Sequence, residues 1–282
     1  MSKYRTVKRV VTGQPAVDGA GVKLQRVLGL ATVEDFDPFL MLDSFDSHNP
    51  ADYTRGFPMH PHRGIETITY LVEGLLSHED SLGNKGDILP GESQWMTAGS
   101  GIMHQEMPQA APRMLGFQLW LNLPAAEKMT APKYFDIKNE DVAEVQEDHQ
   151  TVRVISGEYQ GARGATPHHI QARILDIMLQ PGQASTIPVD PDHTAFVFLL
   201  QGAAQLGGQT YPEKSAILLA DGDAIQLSAL PQEPLRFQVI SAPPLHESVA
   251  WGGPIVMNTR EELSQAFADL RSGNFIKQEA TW

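Results

Sequence analysis

Thr69-Tyr-Leu-Val-Glu-Gly74 returns 128 residues further on as Val197-Phe-Leu-Leu-Gln-Gly202. Each stretch is a short apolar run with β-branched and aromatic members, closed by a polar residue and a glycine, which reads as a strand entering a tight turn. Around the first copy, Glu66-Thr-Ile-Thr-Tyr-Leu-Val forms one strand ending at Glu73-Gly74, and Lys85-Gly-Asp-Ile-Leu-Pro-Gly91 reads as a turn. Ile88-Leu-Pro-Gly-Glu-Ser93 has its own echo in Leu219-Ala-Asp-Gly-Asp-Ala224, 131 residues on. Two offsets this close mark a duplicated unit. Strand and turn signals recur without alternating helix blocks, so the expected class is all-β, with barrels in place of an α/β sheet.

Lys138 to Gln150 is polar and acidic with few large apolar residues, which sets the expected division at 1–138 and 139–282. Met114-Leu-Gly-Phe-Gln-Leu-Trp-Leu reads as a buried strand, and Pro124 to Pro132 as turn or short-helix material. Near the end, Thr259-Arg-Glu-Glu262 is a capping box. Leu263, Phe267 and Leu270 then mark one helical face before Gly273, so a short C-terminal helix is expected to pack back onto a barrel or carry the tail Asn274 to Trp282 to a neighbour.

Working back from Glu66, the chain reads Gly56-Phe-Pro-Met-His60-Pro-His62-Arg63-Gly64-Ile65-Glu66, and some forty residues later Gly99-Ser-Gly-Ile-Met-His104-Gln-Glu106. Side chains two apart on a strand share a face, so His60, His62 and Glu66 are expected on one face of their strand and His104 with Glu106 on one face of theirs, where two neighbouring strands aim all five at one point. Imidazoles and a carboxylate suit a first-row divalent metal, and a four-ligand set leaves open positions in an octahedral site, as a catalyst requires. His-x-His alone also occurs in metallohydrolases, but those expect βα alternation that this chain lacks. The second pair in the same register turns a lone motif into a site.

Composition narrows the rest. The chain has 282 residues, no cysteine, a net charge of −13 and 41% hydrophobic content. Disulfides, thiolate ligands and a cysteine nucleophile are thereby excluded. The acidity argues against direct nucleic-acid binding, which needs clustered Lys and Arg. No apolar run has membrane-spanning length and the N-terminus lacks a signal-peptide core, so the expected address is the cytoplasm.

His60-Pro-His62-Arg-Gly-Ile-Glu66, His78-Glu-Asp-Ser-Leu-Gly and Pro90-Gly-Glu-Ser-Gln-Trp-Met-Thr-Ala-Gly-Ser-Gly-Ile-Met-His104-Gln-Glu106-Met-Pro together resemble the pirin signature of the cupin superfamily, a likeness running from near residue 5 to about residue 260. The resemblance implies two cupin barrels (double-stranded β-helix, or jelly roll) with the metal in the first. It implies His60, His62, His104 and Glu106 as ligands of Fe(II), and Glu66 as a partner behind them. Spacing and ligand type leave Mn, Ni, Co, Cu and Zn open. It further implies dioxygenation of quercetin or a related flavonol or enolic aromatic with O2, with Glu106 also acting as the base. The alternative is an iron-containing regulatory module that binds a protein partner without turnover.

The second half is expected to have lost the site: the two offsets carry His60 and His62 onto Pro188 and Asp190, and His104 and Glu106 onto Leu235 and Phe237. Asp192 and His193 near them read as loop or strand-edge residues. Arg63 is placed to hold a carboxylate, Glu106 or Glu66, or to sit at a barrel mouth. Phe57, Trp95 and Met96 are either walls of a flat pocket or core. His78 is read as a loop residue outside the ligand set, and His149, His168, His169 and His246 show no metal-type pairing.

Overall fold

The structure, a computed structural model, describes residues 3–167 and 169–278. His168 and the last four residues of the tail lie outside them. The chain forms two compact units, one of Pro15–Lys138 with Leu245–Trp282 and the other of Met1–Gln14 with Asn139–Pro244. The chain crosses from one unit to the other between Lys138 and Asn139, but both termini are exchanged relative to the division drawn from sequence. The reason is edge pairing between residues far apart in sequence. Strand Val7–Thr12 pairs with Ser215–Leu219, and Ile255 bridges Arg63. Among the described residues no helix is long and apolar enough to cross a membrane.

Each unit is built on a seven-stranded sheet backed by a four-stranded one, and the strand pairs described in them are antiparallel. In the first, the large sheet runs Lys133–Ile137, Ser93–Thr97, Ile65–Glu73, Met114–Asn122, Phe39–Ser47, Val22–Leu28, Gln14–Asp18. Its smaller sheet runs Phe57–His62, Ile102–Gln109, Leu75–Asp80, Lys85–Ile88. Lys85–Ile88, expected as a turn, is thus a strand, because its backbone pairs Leu76 with Ile88 and Glu79 with Lys85. The second unit repeats the order: Val7–Thr12, Ser215–Leu219, Thr194–Gln201, Leu235–Ala242, Arg173–Leu179, Gln150–Ser156, Ala143–Gln146, over Ala184–Pro188, Ala224–Ala229, Ala204–Leu206, Gln209–Tyr211.

Two shared irregularities fix the equivalence residue by residue. In the first barrel the pairing slips between Leu115/Glu73 and Gly116/Leu71; in the second it slips between Arg236/Gln201 and Phe237/Leu199. A further slip follows Arg26 in one and Val154 in the other. Register then runs through the strand pairs from Thr69 and Gln94 to Val197 and Ile217. The spacing in this part of the barrel is therefore 123 residues, Gln94 to Ile217, and not 131. Leu219 to Ala224 is the turn that carries the chain into the next strand, in the other sheet, and its Asp-Gly chemistry resembles many turns.

The C-terminal helix spans Arg260–Ser272, capped reciprocally by Thr259 and Glu262 and ended by Gly273 at φ 76°. Its Leu263, Phe267 and Leu270 are half-buried and pack with Ile255 and Met257 within the first unit, around the fully buried Ala266, so the apolar stripe read from sequence is the packing face.

Candidate metal centre

His60 and His62 lie on strand Phe57–His62, and His104 and Glu106 on its neighbour Ile102–Gln109, with His104 opposite His60. Period-2 geometry turns all four inward. Glu66 belongs to the next strand, because the chain turns at Gly64 with φ 77°, where a Cβ would stand 2.0 Å from the Val256 carbonyl oxygen. Only glycine fits that approach.

The ligand atoms of His60, His62 and His104 come within 4.8 Å of one another. His60 Nε2 faces His62 Nε2 at 3.0 Å. The Nδ1 atoms of the same rings lie 3.0 Å from the Pro58 carbonyl and 3.2 Å from the Pro254 carbonyl. A carbonyl only accepts, so each Nδ1 carries the hydrogen and each Nε2 presents a lone pair. Two lone pairs at that distance repel unless a cation lies between them. His104 completes the group: fully buried, with neither ring nitrogen hydrogen-bonded. The donor set therefore fits a metal, and the two backbone carbonyls orient the rings toward it.

Burial lowers the pKa of His62 to about 3, assisted by the neighbouring His60, and pushes His104 well below its ordinary value for the same first cause, with His62 next. These groups are neutral when folded and protonated below about 6.5 when unfolded, so the unfolded chain binds more protons in acid. Stability present above pH 6.5 is lost as pH falls toward the folded pKa. The metal-free protein is expected to lose about 2 kcal/mol through His62 between pH 7 and pH 5, with His104 acting in the same direction. Urea denaturation at the two pH values measures it; a slope unchanged in His62→Gln would remove His62 as its source.

Glu106 lies outside the three-histidine group but on the same face. Gln118 Nε2 donates to both its oxygens at 3.0 and 2.8 Å, and Thr69 Oγ1 donates at 3.0 Å. Trp120 Nε1 in turn donates to Gln118 Oε1 at 3.4 Å, fixing which way the amide points. Glu66 is fully buried and takes a 2.7 Å hydrogen bond from Thr97. Arg63 holds neither glutamate: its guanidinium donates to Asp269 and to the Phe275 carbonyl, both at 2.8 Å, and lies over the Phe275 ring. The C-terminal segment had supplied the carboxylate that sequence sought nearby.

His78 is on a strand, not a loop. It is buried, stacked on Tyr134 at 4.8 Å, with its ring centroid 5.4 Å from that of His104. Trp95 and Met96 are fully buried core. A cleft of about 850 Å³ opens on His60 and His62, walled by Phe57, Met41, Trp120 and Trp251 and bounded by Gln118 and Pro254. Trp120 stands edge-on to His62 at 4.9 Å and 5.9 Å from Trp251. Gln118 had a sequence signal, as the one polar side chain inside an apolar strand. Trp251 and Pro254 had none, since only the fold returns them to this barrel.

In the second barrel, the 123-residue spacing carries His104 and Glu106 onto Leu227 and Ala229. Register then puts Ser185 at the place of His60 and Ile187 at that of His62. Ile187, Leu227 and Ala229 belong to a continuous hydrophobic core. These four, and not Pro188, Asp190, Leu235 and Phe237, stand where ligands would.

A family model described as Pirin matches residues 21–121, and one described as Pirin C-terminal cupin domain matches residues 174–276. The chain belongs to the pirin family. A pirin-like protein of Caulobacter vibrioides is 43% identical over 96% of this chain and 99% of its own length. Human pirin is 37% identical over all of this chain and 98% of its own. A crystal structure of quercetin 2,3-dioxygenase from Acinetobacter baumannii superposes with a TM-score of 0.88 at 32% identity, covering 97% of this chain and 99% of that one. Two cupin domains and one C-terminal helix are thus the pirin architecture here.

Proposed function

We propose that this pirin is a metal-dependent dioxygenase of quercetin or a related flavonol, with Fe(II) held by His60, His62, His104 and Glu106. The observation that carries the reading is the facing pair of imidazole lone pairs at the floor of an aromatic-walled cleft. Its volume lies within the range of small-molecule sites, and its walls suit a flat polyphenol.

A bound metal would supply the Lewis acidity and redox chemistry that reaction with O2 demands. The protein's own residues supply the rest. Trp120, Trp251 and Phe57 bind the rings and displace water. Glu106 accepts the substrate hydroxyl proton on a carboxylate oxygen, and Gln118 and Thr69 hold that carboxylate in place. Aligned this way, proton acceptor and ring plane are set before substrate enters.

Metal analysis of the purified protein, followed by oxygen uptake on adding quercetin, tests the proposal. Expected are stoichiometric iron and uptake with release of carbon monoxide and a depside. Iron without uptake of oxygen would overturn the quercetinase reading and favour the regulatory module. That module requires partner affinity to differ between ferrous, ferric and metal-free forms.

A further inference from the structure

The register that relates the barrels also places a second cleft. Met41 pairs with Trp120 in the first barrel, and Arg173 with Ser241 at the equivalent rungs of the second. Met41, Trp120 and Gly29 line the metal-side cleft. Their equivalents Arg173, Ser241 and Gly157 line a cleft of about 260 Å³ with Glu158, Asp190 and His193. The second barrel has filled three of its four ligand positions with core yet kept the cleft beside them, and has exchanged a thioether and an indole for a guanidinium and a hydroxyl.

Three polar atoms of these side chains are buried without a hydrogen-bond partner: Arg173 Nε, His193 Nδ1 and Ser241 Oγ. Ser241 is only 1% exposed. Arg173 is held in place by its Nη2, which donates to the Pro188 carbonyl at 2.6 Å, leaving Nε–H unspent. An orphaned buried donor costs about 1–3 kcal/mol, and more when it is charged. Two such donors and an imidazole nitrogen around one cavity call for a ligand that brings acceptor oxygens.

We propose that this cleft binds a small monocarboxylate, whose oxygens accept from Arg173 Nε–H and Ser241 Oγ–H beside His193. The volume lies below the range of drug-sized ligands, which limits the occupant to a few heavy atoms. Asp190 and Glu158 on the same wall, the latter 3.2 Å from Arg163, disfavour a dianion such as phosphate. The other charges bearing on His193 are Arg5 and Asp192, which are of opposite sign.

The test is a titration of the full-length metal-loaded protein with acetate and glycolate at constant ionic strength, followed by NMR shifts and by melting temperature. Acetamide and phosphate serve as comparators. Saturable binding is expected for the carboxylates up to on the order of 100 mM, well above a millimolar Kd. Ser241→Leu, which refills the cleft, should abolish it, and His193→Ala should weaken it about tenfold. Quercetin-dependent oxygen uptake should be unchanged in Ser241→Leu, which separates this site from the metal centre. No saturation, binding undiminished in Ser241→Leu, or acetamide or phosphate binding as tightly as acetate would each overturn the proposal.

Discussion

Alanine in place of His104 is expected to abolish stoichiometric metal binding and to lower flavonol-dependent oxygen uptake by at least about a thousandfold. The ring is the innermost of the three, with centroids 4.3 Å from His60 and 4.9 Å from His62. Loss of a partner behind a ligand already costs metal sites about 10–100-fold in affinity, and losing the ligand itself costs more. The fold should survive, because the substitution also removes two buried nitrogens that lack hydrogen bonds and so offsets part of the cavity cost. Metal content and oxygen uptake measure the effect, with His78→Ala as the comparison that keeps its metal. Wild-type metal content in His104→Ala would take His104 out of the ligand set.

Lys128→Met is expected to cost about 3 kcal/mol or more of stability, since each buried acceptor left without its donor costs about 1–3 kcal/mol. Lys128 is 2% exposed, and its ammonium donates to the Gly64 carbonyl at 2.8 Å, the Val256 carbonyl at 2.9 Å and Asn122 Oδ1. Burial draws this lysine down to about 7, but three acceptors around one nitrogen are served only by the protonated form, and that geometry decides its state. Methionine matches the length and leaves the acceptors without their donor. Because Gly64 is the turn between the histidine strand and the Glu66 strand, metal affinity should fall together with stability. Chemical denaturation and metal titration read the two, and a loss under about 1 kcal/mol would contradict the account.

Period-2 spacing was enough to put His60 with His62 and His104 with Glu106 on inward faces, since a strand offers its side chains only two directions. The same rule misplaced Glu66, because Gly64 breaks the strand in a conformation that spacing does not register. The capping box and apolar stripe of the C-terminal helix were legible because both are local. What sequence could not reach was pairing at long range. The edge strand Val7–Thr12, the return of Pro254 to the first barrel, and the Arg63–Asp269 pair all join residues about 190 or more positions apart. The 131-residue offset failed for a related reason: glycine and aspartate report that a turn exists, not which turn it is.

The order in which the ribosome releases this chain now matters. The three histidines emerge within the first 104 residues, but the carbonyl that orients His62 belongs to Pro254 and the carboxylate that holds Arg63 to Asp269. A chain halted at the end of its first barrel's main strands carries all three imidazoles and the Pro58 carbonyl that aims His60, but lacks the one that aims His62. For the proposed centre, a chain that stops before Pro254 is expected to hold its metal more weakly, because His62 then lacks the carbonyl that orients it.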